Sequence, residues 1–153
     1  MPHYRRETFL NASVEQVYSF HENPFNIQKI SPWFLQIDEI KADTEANPQS
    51  PFILKLRIFG VPLHWNGLWE VARKPVLLVD TASVFPFRTW RHEHHFEPVK
   101  DGTRMIDDVT YTLPGGWLGA ILGTTIFRLQ LILMFSGRHR ATRAWFERPL
   151  PRT

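Results

Sequence analysis

"FRTWRHEHHFEPVKDGTRMIDDVTYTLPGG", residues 87–116, is the part of the chain from which its architecture can be read. Two runs rich in aromatic and β-branched residues flank Lys100-Asp101-Gly102, a turn-forming triplet, so the stretch reads as a β-hairpin. Side chains alternate along a strand. Trp90, His92, His94 and Phe96 therefore share one face, and Arg91, Glu93, His95 and Glu97 share the other. The second set is charged and faces water. The first begins and ends on a large aromatic and faces inward. The histidines are thus split: His92 and His94 look into the protein and His95 looks out.

A hairpin loop of two or four residues about Asp101-Gly102 sets the register of the next strand. It places Phe96 opposite Asp107, His94 opposite Val109 and His92 opposite Tyr111. Met105, Asp107, Val109, Tyr111 and Leu113 then point inward, while Arg104, Ile106, Asp108, Thr110 and Thr112 point outward. His94 sits diagonal to Asp107. A buried carboxylate needs a partner, and these histidines are the nearest candidates. A His held by an Asp beside a Tyr is a general acid–base set. It is equally a structural hydrogen-bond network. His94, Asp107 and Tyr111 are the catalytic candidates on this reading. Two His and one Asp can hold zinc or iron. Glu97, however, faces away from His94, and no third ligand other than Asp107 is evident. The expectation is no metal and no cofactor.

Upstream, "FLQIDEIKAD", "FILKLRIFG", "LHWNGLWEVAR" and "PVLLVDTASVF" are each of strand length. They are separated by "TEANPQS", Gly60-Val61-Pro62 and Arg73-Lys74-Pro75, all turn-type sequences. With the hairpin they make six consecutive strands, an antiparallel meander. Leu63, Trp65, Trp69 and Val71 share a face at period two. Gly67, between the tryptophans, marks a bulge or leaves room for a ligand. Trp65, Trp69 and Trp90 suit a pocket wall on which a flat apolar molecule stacks.

The chain opens on "HYRRETFL", a further strand. Ser13 and Gln16 then match a capping box, and Val14, Val17, Tyr18 and His21 recur at helical spacing. Asn23-Pro24 starts a second helix, near 24–30, which must end before Ser31-Pro32. After Gly115-Gly116 a single helical stretch runs over roughly 117–147. Its first part, "WLGAILGTTIFRLQLILMF", has the length of a membrane span. A central Arg128 costs about 2.5–3.5 kcal/mol on insertion scales, so the segment reads as a buried or amphipathic helix. It is the obvious cover for the sheet, with Phe127, Leu131 and Phe135 against the strands. The space between a curved sheet and one helix is an apolar pocket, the usual form of a small-molecule site.

The 153 residues fit a single domain spanning 1–153 and contain no cysteine. Disulfides, iron–sulfur clusters and thiolate catalysis are thereby excluded. The opening "MPHYRRETFL" lacks the apolar run of a secretion signal, and a cytoplasmic location is expected. Residues 1–116 carry 12 Lys/Arg against 14 Asp/Glu, whereas 117–153 carry six Arg against Glu147 alone, so the net charge of +3 belongs to the C-terminal segment. No aromatic-interleaved basic groove accompanies it, and nucleic acid is not an expected partner. Peripheral membrane contact through the basic helix end, with Arg138, Arg140 and Arg143 on anionic lipid, stays open.

The pattern "FRTWRHEHHFEP…DGTRMIDDVTYTLPGGWLG", preceded by "LWEVARKPVLLVD" and "ETFLNASVEQVYSFHENPFNIQKISP", resembles the START / pollen-allergen / polyketide-cyclase superfamily (SRPBCC). It is most similar to the small bacterial cyclase/dehydrase-like ligand-binding members. The resemblance implies the helix-grip fold: an α+β arrangement in which a seven-stranded antiparallel sheet wraps a long C-terminal helix, with two short helices after strand 1. It also implies a hydrophobic cavity for a lipid, quinone, polyketide or other aromatic. The ligand-binding candidates are Trp65, Trp69, Trp90, His92, His94, Phe96, Met105, Asp107, Val109, Tyr111, Phe127 and Leu131. The alternative is a cyclase or dehydrase using His94, Asp107 and Tyr111. Many members have Gly before the Pro-Phe/Tyr that leads into the histidine strand. Phe85 in that position is expected to narrow the cavity mouth.

Overall fold

The computed structural model describes residues 1–148. Arg152, the last of the basic C-terminal residues, lies outside them. Strand β1 (His3–Leu10) is followed by α1 (Val14–Glu22), a 3-10 turn (Pro24–Asn26) and α2 (Ile27–Ile30). Six strands follow: β2 (Leu35–Lys41), β3 (Pro51–Ile58), β4 (Val61–Arg73), β5 (Leu77–Ser83), β6 (Thr89–Val99) and β7 (Gly102–Thr112). The chain continues through α3 (Gly116–Leu122), a π-helical turn (Gly123–Phe127) and α4 (Arg128–Phe146). The strands form one antiparallel sheet in the order β1-β7-β6-β5-β4-β3-β2. This is the helix-grip arrangement.

Local chemistry explains the boundaries. Ser13 and Gln16 form the capping box that starts α1, each side chain satisfying a backbone N–H of the other residue. Between β3 and β4 the turn consists of Phe59 and Gly60, both at positive φ (48° and 80°), the geometry a two-residue hairpin requires. Between β6 and β7 the two loop residues are Lys100 and Asp101, because Val99 pairs with Gly102. Asp101 takes φ 65°, which a short acidic side chain tolerates.

That loop corrects the register. The turn sits one residue earlier than Asp101-Gly102, so each β6 residue moves two places along β7. His94 lies directly opposite Asp107, His92 opposite Val109, Trp90 opposite Tyr111 and Phe96 opposite Met105. A shift of two keeps every side chain on its expected face, whereas a shift of one would have inverted them. Met105, Asp107, Val109 and Tyr111 are all buried. Ile106, expected to face outward, is buried as well, between cross-strand partners Glu7 and His95.

Two hydrophobic clusters fill the concave side. In one, Leu10, Val17 and Tyr18 pack with Leu54, Trp69, Leu78, Phe96 and Met105. The other joins Tyr4, Leu35, Trp90, Val109 and Tyr111 to Leu131, Met134 and Phe135 of α4. The buried residues of α4 are Leu131, Met134, Phe135, His139 and Thr142, one face at helical spacing. The segment before α4 is different. Trp117 is 72% exposed, and Leu118, Ile121, Ile126 and Leu129 are exposed too. Within 117–135, expected to form a buried or amphipathic helix, the buried face of α4 begins at Leu131, and Ile132 and Leu133 on the other face are exposed. The helical path from Gly116 to Phe146 is long and apolar enough to cross a membrane by length and composition.

Candidate functional site

Where the two clusters meet, a cavity of about 120 Å³ opens between the sheet and helices α1, α2 and α4. Its sheet wall is apolar: Phe52, Leu54, Leu56, Trp65, Trp69 and Trp90. The helices contribute Phe20, Ile27, Ile30 and Met134. Trp65 and Trp90 meet edge to face, with ring centroids 5.0 Å apart at 84°. Across this wall runs a polar strip made of Asp80, His92, His94, His21 and Arg138.

Beneath the strip lies Asp107, 1% exposed. Its Oδ1 accepts a hydrogen bond from His92 Nε2 at 2.8 Å and lies 2.7 Å from His94 Nδ1. The His94 contact is an ion-pair approach whose angle falls outside hydrogen-bond geometry, and His94 Nδ1 has no other partner. Oδ2 takes the third imidazole, His139 of α4. On the cavity side of the same rings, Asp80 Oδ2 lies 3.6 Å from His92 Nδ1 and 3.5 Å from His94 Nε2. One carboxylate thus holds three rings from behind, and a second faces two of them from the front.

The electrostatics follow from that enclosure. Burial opposes ionisation of Asp107, but the charge on His94 and the contacts from His139, His92 and His94 outweigh it and hold the carboxyl well below its ordinary range. Burial likewise works against imidazolium at His94, yet Asp107 and then Asp80 raise its pKa to about 9. His92 is lowered, by burial first and then by the charge on His94. His21 is lowered to about 4 for the same two reasons, although its Nδ1 lies 2.7 Å from the Val17 carbonyl. Burial lowers Arg138 as well, against the pull of Asp107 and Asp80. Asp107 stays charged because several donors surround it.

The structure distributes the sequence-level candidates unevenly. Trp65, Trp69, Trp90, His92 and His94 line the cavity. Asp107 stands behind the two histidines rather than on the wall. Phe96 and Met105 pack within the first cluster, and Val109, Tyr111 and Leu131 within the second, with Phe127 against it. Tyr111 is opposite Trp90, four residue pairs along the hairpin from the His94–Asp107 pair. Gly67 leaves no room for a ligand: a Cβ there would lie 2.2 Å from the Phe52 ring, which already fills the space. The β4 irregularity comes later, between Trp69 and Val71. It turns Ala72, not Val71, toward the core. Phe85 does not narrow the mouth, being 82% exposed and off the cavity wall. Arg138, expected on lipid, faces the cavity, whereas Arg140 and Arg143 are exposed.

Sequence reasoning missed Asp80 and His139, and it named His21 and Arg138 without placing them in the cavity. Asp80 follows Leu78 at period two on β5, a lone acid on the inward face. His139 is four residues from Phe135 and eight from Leu131, on the buried stripe of α4. Asp80, His92 and His94 bring one donor atom each within 4.8 Å of one another, the set these residues could offer a metal. The imidazolium at His94 and the Arg138 guanidinium in the same wall oppose a divalent cation.

Residues 10–131 match the family described as "Polyketide cyclase / dehydrase and lipid transport". The chain belongs to that family. Its fold is shared by protein CV1439 from Chromobacterium violaceum, at 14% identity and TM-score 0.76, covering 96% of this chain and 98% of that one. It is also similar to the di-domain ARO/CYC StfQ of the steffimycin biosynthetic pathway, with 14% identity and TM-score 0.74, where it covers 95% of this chain and 50% of that one. Ginseng major latex-like protein 151 from Panax ginseng matches at 10% identity and TM-score 0.69, covering 96% of this chain and 98% of that one. No curated protein matches.

Proposed function

We propose that the protein binds a small, flat hydrophobic molecule in the cavity between the sheet and α4. The observation that carries this reading is the wall of Trp65, Trp69 and Trp90 with Leu54 and Leu56 around an unfilled volume of about 120 Å³. Well-packed interiors contain few voids larger than a water molecule. An engineered apolar cavity of about 150 Å³ takes up benzene, so the free volume here suits about one ring, with larger ligands requiring α1 and α2 to shift. Family membership supports hydrophobic binding as the general role. Native mass spectrometry of protein purified from its own host is expected to show a co-purified aromatic or lipid. Absence of any bound mass, together with no thermal stabilisation by one-ring aromatics, would remove the reading.

A second reading, acid–base catalysis of the cyclase or dehydrase kind, is favoured by one further observation. His94 stands on the cavity wall between two carboxylates, Asp80 in front and Asp107 behind. In this reading His94 exchanges a proton with the ligand and Asp107 holds its ring in place. Tyr111 lies away from the wall and takes no part. His94→Gln is then expected to abolish turnover while ligand still binds. In the carrier reading it changes affinity alone. Neither reading uses a metal or cofactor.

A further inference from the structure

Arg138 is the feature of the cavity that an apolar ligand leaves unexplained. It lies on α4 four residues after Met134, and both side chains line the cavity. Its guanidinium carbon sits 5.4 Å from the centre of the Phe135 ring. Its Nε is buried with no hydrogen-bond partner. Among the described residues, no carboxylate reaches ion-pair distance of it. Asp107 is surrounded by three histidines, and Asp80 faces His92 and His94. A guanidinium presents five N–H donors in a planar fork and no acceptor. Leaving such a group buried and unsatisfied costs more than leaving a neutral one. The fork matches the two oxygens of a carboxylate.

We infer that the ligand of this cavity is an apolar acid: a hydrophobic body against Trp65, Trp69 and Leu54, and a carboxylate-class anionic group paired with Arg138. This rests on the cavity-binding reading above and narrows its ligand class. Among the described lining residues, Arg138 is the cation that no carboxylate pairs. Asp80 is a negative neighbour, but the imidazolium of His94 stands beside it, whereas Arg138 has no counter-charge of its own. The arrangement also sets orientation. The acid end points to α4, and the body extends over the tryptophans of β4 and β6.

The test compares matched probes in the intact protein: benzoate and cinnamate against their methyl esters, by calorimetric titration. The expected result is that each acid binds at least about tenfold tighter than its ester, the scale of a charge-assisted contact. Arg138→Met, which keeps the apolar stem, is expected to erase that preference, so that acid and ester bind equally. The acid is also expected to shift the Arg138 Nε–H resonance of the unmodified protein, and the ester to leave it in place. This measurement does not depend on the variant folding. Equal affinity for acid and ester overturns the inference while the cavity reading stands. An acid preference that survives in Arg138→Met, or an unmoved Nε–H resonance, overturns it too. If neither acid nor ester binds, the cavity reading itself fails and the inference falls with it.

Discussion

The two faces of β6 carry the same kinds of residue in opposite circumstances. Outward, His95 contacts Glu93 at 2.7 Å with 38% of its side chain exposed, and Arg91 bonds Glu70 and Glu93. Inward, one residue earlier, His94 is held between Asp80 and Asp107 with 11% of its side chain exposed. Both are His–carboxylate pairs. Water screens the outer one, and such surface pairs contribute about 0–1 kcal/mol. The inner one sits where charges are poorly solvated and each partner depends on the others. The difference teaches that pairing alone says little about importance: what matters is whether water could take the partner's place.

The severest way to break the comparison is Asp107→Ala. It leaves three imidazoles sharing no counter-charge from behind. By the scale of breaking a buried pair, it is expected to cost about 3–5 kcal/mol, measured by urea denaturation. A loss below about 1 kcal/mol would place Asp107 on the same footing as Glu93.

Titration sharpens the comparison. The pKa of His94 is raised from 6.5 to about 9. A raised folded-state pKa stabilises the fold while pH is below the unfolded value. That contribution, fully present below 6.5, is lost as pH rises through about 9. Asp107 has the opposite sign: its carboxyl is held low, so its contribution is present above the ordinary carboxylate range and is lost as pH falls through its depressed value. Asp107→Asn removes the charge that raises His94. Its imidazole is then expected to lose its proton at lower pH in an NMR titration, and the alkaline loss of stability to move with it. An unchanged His94 titration would mean that Asp80 alone sets it.

The smallest expected effect is the control. His95→Ala, on the exposed face, is expected to change stability by no more than about 0.5 kcal/mol and to leave ligand binding intact. A cost of about 1 kcal/mol or more in the same denaturation assay would erase the distinction between the faces.

Much of this was legible beforehand. Period-two alternation assigned His92 and His94 inward and His95 outward, and the strand and helix order pointed to the fold. The hairpin register was two residues off because both Lys100-Asp101 and Asp101-Gly102 are competent two-residue turns, and alternation cannot choose between registers of the same parity. Asp80 and His139 carried signals, an acid in an apolar strand and a histidine on an apolar helix stripe, but neither has a neighbour in sequence that hints at its partner. Their partners lie 12 and 32 residues away: His92 for Asp80 and Asp107 for His139.

By itself, then, the sequence determined the alternation of the strands, the capping of α1, the absence of thiol chemistry and the presence of an apolar helix to cover the sheet. Each follows from neighbours within a few residues, where backbone geometry is local. Only the tertiary structure decided which of two nearby arginines, Arg138 or Arg140, faces the cavity. A helix carries residues round its axis every 3.6 positions, and which side meets the sheet depends on how the whole helix is rotated when it docks. The same docking brings His139 onto Asp107 and closes the volume beside Trp65, Trp69 and Trp90. Cavities and buried charge clusters arise from contacts between distant segments, so the site became visible only once those segments were packed together.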